Sequence, residues 1–133
     1  GQTILVFHGF RMYAKNAAEG GHLEVLQWAR ANGCPWHEDT YSIAAFHGHL
    51  EFLQRARGNG CPWDCMTCVC AAYGGYLEIL QWARANSCPW DEHTCTRAAH
   101  GGHLEVLRWA RANGCPWNEK HALVLSKVVF WRY

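Results

Sequence analysis

Apolar residues in this chain do not alternate with polar ones. They recur at three- and four-residue spacing over short stretches broken by glycine. Between His103 and Ala112, positions Leu104, Val106, Leu107, Trp109 and Ala110 are apolar while Glu105, Arg108 and Arg111 are charged. At about 100° per residue the apolar set covers well over half the circumference of a helix. Such a helix must be covered on more than one side. Before it, Cys95-Thr96-Arg97-Ala98-Ala99-His100 predicts a helix of about two turns, with Thr94 as its expected N-cap. Gly101-Gly102 ends that helix, because glycine adopts the left-handed conformation a helix end requires. Asn113-Gly114 closes the longer helix, and Pro116 prevents its continuation. No stretch of the unit shows the sustained alternation of a strand. The unit is a helix–turn–helix.

The unit repeats. Cys-Pro-Trp begins at residues 34, 61, 88 and 115, a constant spacing of 27 that takes in all four prolines, half the cysteines and half the tryptophans. Ala17-Ala18, Ala44-Ala45, Ala71-Ala72 and Ala98-Ala99 recur in the same phase, as do Leu23, Leu50, Leu77 and Leu104. A fixed period of this size marks a solenoid or array. The repeats are placed at 10–36, 37–63, 64–90 and 91–117, with 1–9 as a ragged entry and 118–133 as an incomplete fifth unit. All of 1–133 is then one repeat domain. In a stack each unit packs between two neighbours, which covers the wide apolar face.

The run Ala98-Ala99-His100-Gly101-Gly102-His103-Leu104-Glu105-Val106-Leu107 resembles the helix–turn–helix signature of the ankyrin repeat. The second unit carries it as Ala44-Ala45-Phe46-His47-Gly48-His49-Leu50-Glu51. The resemblance is strongest to short ankyrin-like repeats bearing Cys-Pro-Trp, of the kind found in some protists and large DNA viruses. It implies an all-α solenoid that binds another protein on its concave face. The unit is about six residues shorter than the family's 33. Aligning the helices places that loss in the β-hairpin finger, so the fingers are expected to be shortened or absent. Only Trp63-Asp64-Cys65-Met66 and its equivalents remain for the crossing between units. Of the family's Thr-Pro-Leu-His segment, Thr40, Thr67 and Thr94 keep only a capping hydroxyl.

Composition narrows the function. The chain of 133 residues is 50% hydrophobic and 17% charged, with a net charge of +1. That balance is globular, and it lacks the basic excess of a nucleic-acid binder. No apolar run approaches the roughly 20 residues of a membrane span, and Ile4-Leu5-Val6-Phe7 has neither the basic lead-in nor the cleavage site of a signal peptide. The chain opens at Gly1 in mid-pattern, as expected of a fragment or a processed piece. Cys34, Cys61, Cys88 and Cys115 are expected to stay unbridged, because packed helices sit about 8–10 Å apart and a disulfide needs its Cα atoms within about 7 Å. Free thiols in this number suit a reducing compartment, hence an intracellular, cytoplasmic or nuclear site.

Cys61, at the end of the second repeat, and Cys65, Cys68 and Cys70 of the third crowd together in sequence, and Cys65-Met66-Thr67-Cys68 has the spacing of half a zinc site or a redox pair. Yet Cys68 is in phase with Tyr41 and Cys95, a core-facing position, and Cys70 lies about 200° around the helix from it. His22, His49 and His103 share one phase after the glycine break and read as hydrogen-bonded structural residues. Glu24, Glu51, Glu78 and Glu105 read as a solvated outer ladder. Trp28, Trp82 and Trp109 recur in mid-helix on the apolar side, with Arg55 in that slot in the second repeat. They and the Cys-Pro-Trp tryptophans read as core, with Trp63 and Trp90 largely buried between units. No nucleophile is held near a His and an acid by a recognisable motif, so no catalytic, cofactor-binding or metal-binding residue is assigned.

The expected function is a non-catalytic protein–protein interaction module, as a monomer or as part of a longer array, with no nucleic acid and no membrane as partner. The alternatives are a metal-binding or thiol-redox module on the third repeat and a passive spacer arm of a larger protein. Positions that differ between repeats are the ones free to face a partner. These are Asp39, Met66, His93 and Lys120 in the crossing, and Glu19, Phe46, Tyr73 and His100 at the end of the first helix. Ile43, Cys70 and Arg97 differ too, at the border of the core. At the C-terminus Val124, Leu125, Val128, Val129, Phe130 and Trp131 form an apolar segment that either folds back over the last repeat or continues into further chain.

Overall fold

The computed structural model describes residues 12–34 and 39–116, and every regular element among them is an α-helix. Helix α1 covers described residues 12–20. It is followed by α2 (Leu23–Ala31), α3 (Asp39–Phe46), α4 (Leu50–Gly58), α5 (Cys65–Gly74), α6 (Leu77–Ala85), α7 (Glu92–His100) and α8 (Leu104–Ala112). The helices come in pairs of one first and one second helix, in step with the 27-residue period. None of them is long and apolar enough to cross a membrane. Among the described residues there is no strand, so nothing resembling a β-hairpin finger stands at the crossings from Cys61 to Asp64 or from Cys88 to Asp91.

Helices α5 and α7 are capped by aspartate rather than by threonine. The Asp64 carboxylate accepts from the Met66 backbone N–H at 2.9 Å, and Asp91 does the same for His93 at 2.9 Å. An ionised side chain in extended conformation suits the positive end of the helix dipole better than a hydroxyl does. The expected caps Thr67 and Thr94 instead lie three residues further on, inside the helix and fully buried, and no protein group hydrogen-bonds their hydroxyls. Thr40 is likewise buried within α3. One consequence touches the proposed binding residues. Asp39, Met66 and His93 belong to the first turns of α3, α5 and α7 rather than to the crossings.

The first helices end in a left-handed residue, Gly75 at φ 80° and Gly102 at φ 73°. Close approach adds a second requirement at Gly75, where a side-chain carbon would run into the His103 ring of the next repeat. The second helices end alike. The Asn59, Asn86 and Asn113 side chains donate to the carbonyls of Arg55, Trp82 and Trp109 at 2.8–2.9 Å. An arginine then holds the cysteine carbonyl that follows each second helix: Arg30, Arg57, Arg84 and Arg111 donate to the carbonyls of Cys34, Cys61, Cys88 and Cys115 at 2.6–2.9 Å.

Successive pairs pack on one another. Helix α5 lies between α3 and α7 and also packs on its own partner α6, α3 packs on α4, α7 on α8, and α2 meets α4. The core is built from in-phase residues. Leu26, Leu53, Leu80 and Leu107 are buried with the four alanine pairs and with Cys34, Cys61, Cys88 and Cys115. Small alanines let the first helices approach closely, and the leucines fill the space beneath them.

The tryptophans are less buried than their periodicity predicts. Trp63 and Trp90 are packed against the core but only partly covered. Trp63 meets Tyr41 at 5.5 Å and Trp82 of the next pair at 5.4 Å, while Trp90 meets Trp109 at 5.9 Å. The Arg57 and Arg84 guanidinium groups lie 4.3 Å over the Trp63 and Trp90 rings and stand between them and solvent. Trp28 is 55% exposed, edge-on to Tyr13. Its slot is at the rim of the core, which is why Arg55 can occupy it, paired with Glu51 at 2.9 Å.

A candidate protein-binding face on the first helices

The residues that differ between repeats fall on one stripe of each first helix. Asp39, Ile43 and Phe46 follow one another at spacings of four and three, and so do Met66, Cys70, Tyr73 and His93, Arg97, His100. Residues at those spacings lie one above another on a helix. Phe46, Met66 and Tyr73 are exposed by 42%, 45% and 41%, and Asp39, His93, Arg97 and His100 are exposed too, with Ile43 and Cys70 half-covered between their neighbours. Glu19 is exposed at the end of α1. Lys120 lies outside the described residues, as do residues 1–9 and the apolar segment from Val124 to Trp131.

Because α3, α5 and α7 pack side by side, the stripes adjoin. Phe46 and Tyr73 stack across the boundary between repeats, with ring centroids 5.7 Å apart and planes 16° from parallel. The half-buried Cys70 thiol feels Arg97 of the next helix, although burial outweighs that charge and raises its pKa. Ile43, Phe46, Met66, Cys70 and Tyr73 thus form an apolar centre on α3 and α5. The histidine phase anchors the end of the stripe. His49 Nε2 hydrogen-bonds the Glu19 carbonyl at 2.8 Å, and His103 Nε2 hydrogen-bonds the Tyr73 carbonyl at 3.0 Å. Both carbonyls belong to residues of the proposed site, so each ring fixes a backbone position whose side chain stays in solvent.

The cysteines are divided differently from their order in sequence. All eight are free thiols, and Cys34, Cys61, Cys68, Cys88, Cys95 and Cys115 are buried. The third-repeat group does not converge. Cys68 neighbours Cys88, and Cys95 neighbours Cys115, each pair joining a first helix to the turn that follows the second helix of the same repeat. Cys88 and Cys115 in turn donate to the carbonyls of Asp64 and Asp91 at 3.5 and 3.4 Å. The neighbouring Cys88 thiol and burial raise the pKa of Cys68, and in the second pair the Cys95 thiol and burial raise Cys115 while the Cys115 thiol lowers Cys95. These pairs were not visible in the motif spacing. Among the described residues, no three His, Cys, Asp or Glu side chains come together as a metal site.

Elsewhere the surface offers less chemistry. An open groove of about 330 Å³ between α2 and α4 is lined by Leu23, Leu26, Gln27, Arg30, Ala56 and Asn59, without an acid–base pair. Glu24, Glu51, Glu78 and Glu105 are exposed in the first turns of the second helices. No protein-family model matches this chain, and no curated protein is similar to it.

Proposed function

We propose that the chain is a non-catalytic protein-binding module, an ankyrin-like solenoid without fingers whose first-helix face holds a partner protein. One observation carries this reading. The positions that vary from repeat to repeat gather into one exposed surface, while the positions that repeat build the core and its hydrogen bonds. Two partly exposed aromatic rings stack at a repeat boundary outside the buried core set, and rigid exposed aromatics supply contact area at low entropic cost. In the family this chain resembles, the corresponding face is the concave one. Free thiols fit an intracellular setting.

The test compares the native chain with a Phe46→Ala/Tyr73→Ala variant in capture from the source cell. The reading predicts loss of specifically captured protein, with helicity and melting temperature nearly unchanged. Capture that survives the double substitution would place the interface elsewhere, and unfolding of the variant would make the two rings part of the core.

A further inference from the structure

The first-helix face is chemically graded. Its centre on α3 and α5 is apolar, its α7 side presents Arg97 and His100, Asp39 stands in the first turn of α3, and Lys15 and Glu19 stand at the α1 side. Arg97 borders the apolar centre closely enough for its charge to reach the Cys70 thiol. Asp64 reaches the same thiol, but its carboxylate is engaged as the cap of α5. With a net charge of only +1 for the chain, the gradient comes from arrangement rather than from an excess of bases.

We propose that this face recognises an acidic–apolar peptide segment of the partner protein, a refinement that rests on the binding-face reading above. An apolar anchor of the segment covers the Phe46–Tyr73 stack, and carboxylates beside the anchor meet Arg97 and His100. The argument is charge complementarity around a desolvated centre. A planar guanidinium at the edge of an apolar patch holds a carboxylate through two parallel hydrogen bonds, strengthened by the apolar atoms beside it and still sensitive to salt on its exposed side. Asp39 on α3, with Glu19 beyond it, repels the same carboxylates, so the contrast with Arg97 fixes the direction in which the segment lies. A nucleic-acid strand fits less well, because phosphate binding needs a track of cations, and here the guanidinium has imidazoles on one side and apolar residues on the other.

The experiment is selection of random dodecapeptides displayed on phage against the immobilised full chain, followed by binding of the selected synthetic peptides in solution. The selected peptides should combine a large apolar anchor with two or more Asp or Glu residues. Arg97→Glu should weaken them about tenfold or more, and added salt should weaken them as well. Arg108→Glu, the same change in charge on α8, should leave binding within about twofold. Peptides lost in Phe46→Ala/Tyr73→Ala but free of acidic residues and indifferent to Arg97→Glu would overturn the acidic chemistry while leaving the face in place. Peptides indifferent to both changes would overturn the face as well. Failure to select any peptide, or tighter binding of an oligouridine RNA than of every selected peptide, would also overturn the proposal.

Discussion

The His103 imidazole Nε2 lies 3.0 Å from the Tyr73 backbone carbonyl, thirty residues earlier in the chain and one repeat away. His49 makes the same bond to Glu19 at 2.8 Å. In the third repeat the position is Tyr76, whose ring rests on Gly48 and Gly74. The boundary between the second and third repeats carries the Phe46–Tyr73 stack instead. Removing the hydrogen bond with His103→Ala should cost about 0.5–1 kcal/mol, the net worth of one solvent-exposed bond whose carbonyl water can then pair. Tyr76→His should change stability by less than about 1 kcal/mol, the new bond offsetting lost ring contact. Urea unfolding of both variants checks the pair, and a neutral His103→Ala would remove the bond from the set that joins repeats.

The caps predict substitutions of opposite sign within one turn of helix. Asp91→Ala should destabilise by about 1 kcal/mol, because the His93 N–H loses its acceptor. Thr94→Val should be neutral or stabilising by up to about 1 kcal/mol, since it replaces a buried hydroxyl without a partner by a methyl. If thermal melts show Thr94→Val to be the more damaging of the two, Thr94 rather than Asp91 supports the helix start.

Burial pushes the Cys61 thiol from its ordinary 9.0 up to about 12. The folded chain therefore keeps a proton that the unfolded chain releases once pH passes about 9. Stability from this group is fully present below pH 9 and lost as pH rises toward 12, at about 1.4 kcal/mol per pH unit. Chemical denaturation at pH 8, 9.5 and 11 should show that decline, shallower in Cys61→Ala. A decline equally steep in the variant would assign the alkaline sensitivity to other groups.

The tryptophans should differ sharply. Trp63→Ala should cost about 2–3 kcal/mol, below the 3–5 of a fully buried ring, because its Tyr41, Trp82 and Arg57 contacts cover it only in part. Trp28→Ala, at an exposed slot, should cost less than about 1 kcal/mol. Equal losses in urea titrations would contradict the graded cover.

The helix pairs and the core were legible because the period repeats every structural requirement in phase: the alanine pair, the leucine, the glycine stop and the buried cysteine. The binding stripe was legible in part, through the positions that break the repetition. The caps were misplaced because aspartate and threonine are both good cap residues three positions apart, and only backbone geometry selects Asp64 and Asp91. The thiol pairs and histidine–carbonyl bonds join residues twenty and thirty apart. Neither separation equals the period, so comparing repeats marks the histidine phase as hydrogen-bonded without revealing these partners. Apolar periodicity predicts more cover for Trp63 and Trp90 than they have, because it does not show that an arginine can lie over an aromatic face in place of the core.

The central claim is that partners meet the first-helix face and not the second. A photoreactive benzophenone side chain at position 73 on α5, compared with the same group at exposed position 81 on α6, tests it directly in extracts of the source cell. The account predicts a discrete crosslinked adduct from position 73 and none from position 81. Adducts from position 81 alone, or equally from both, would contradict it.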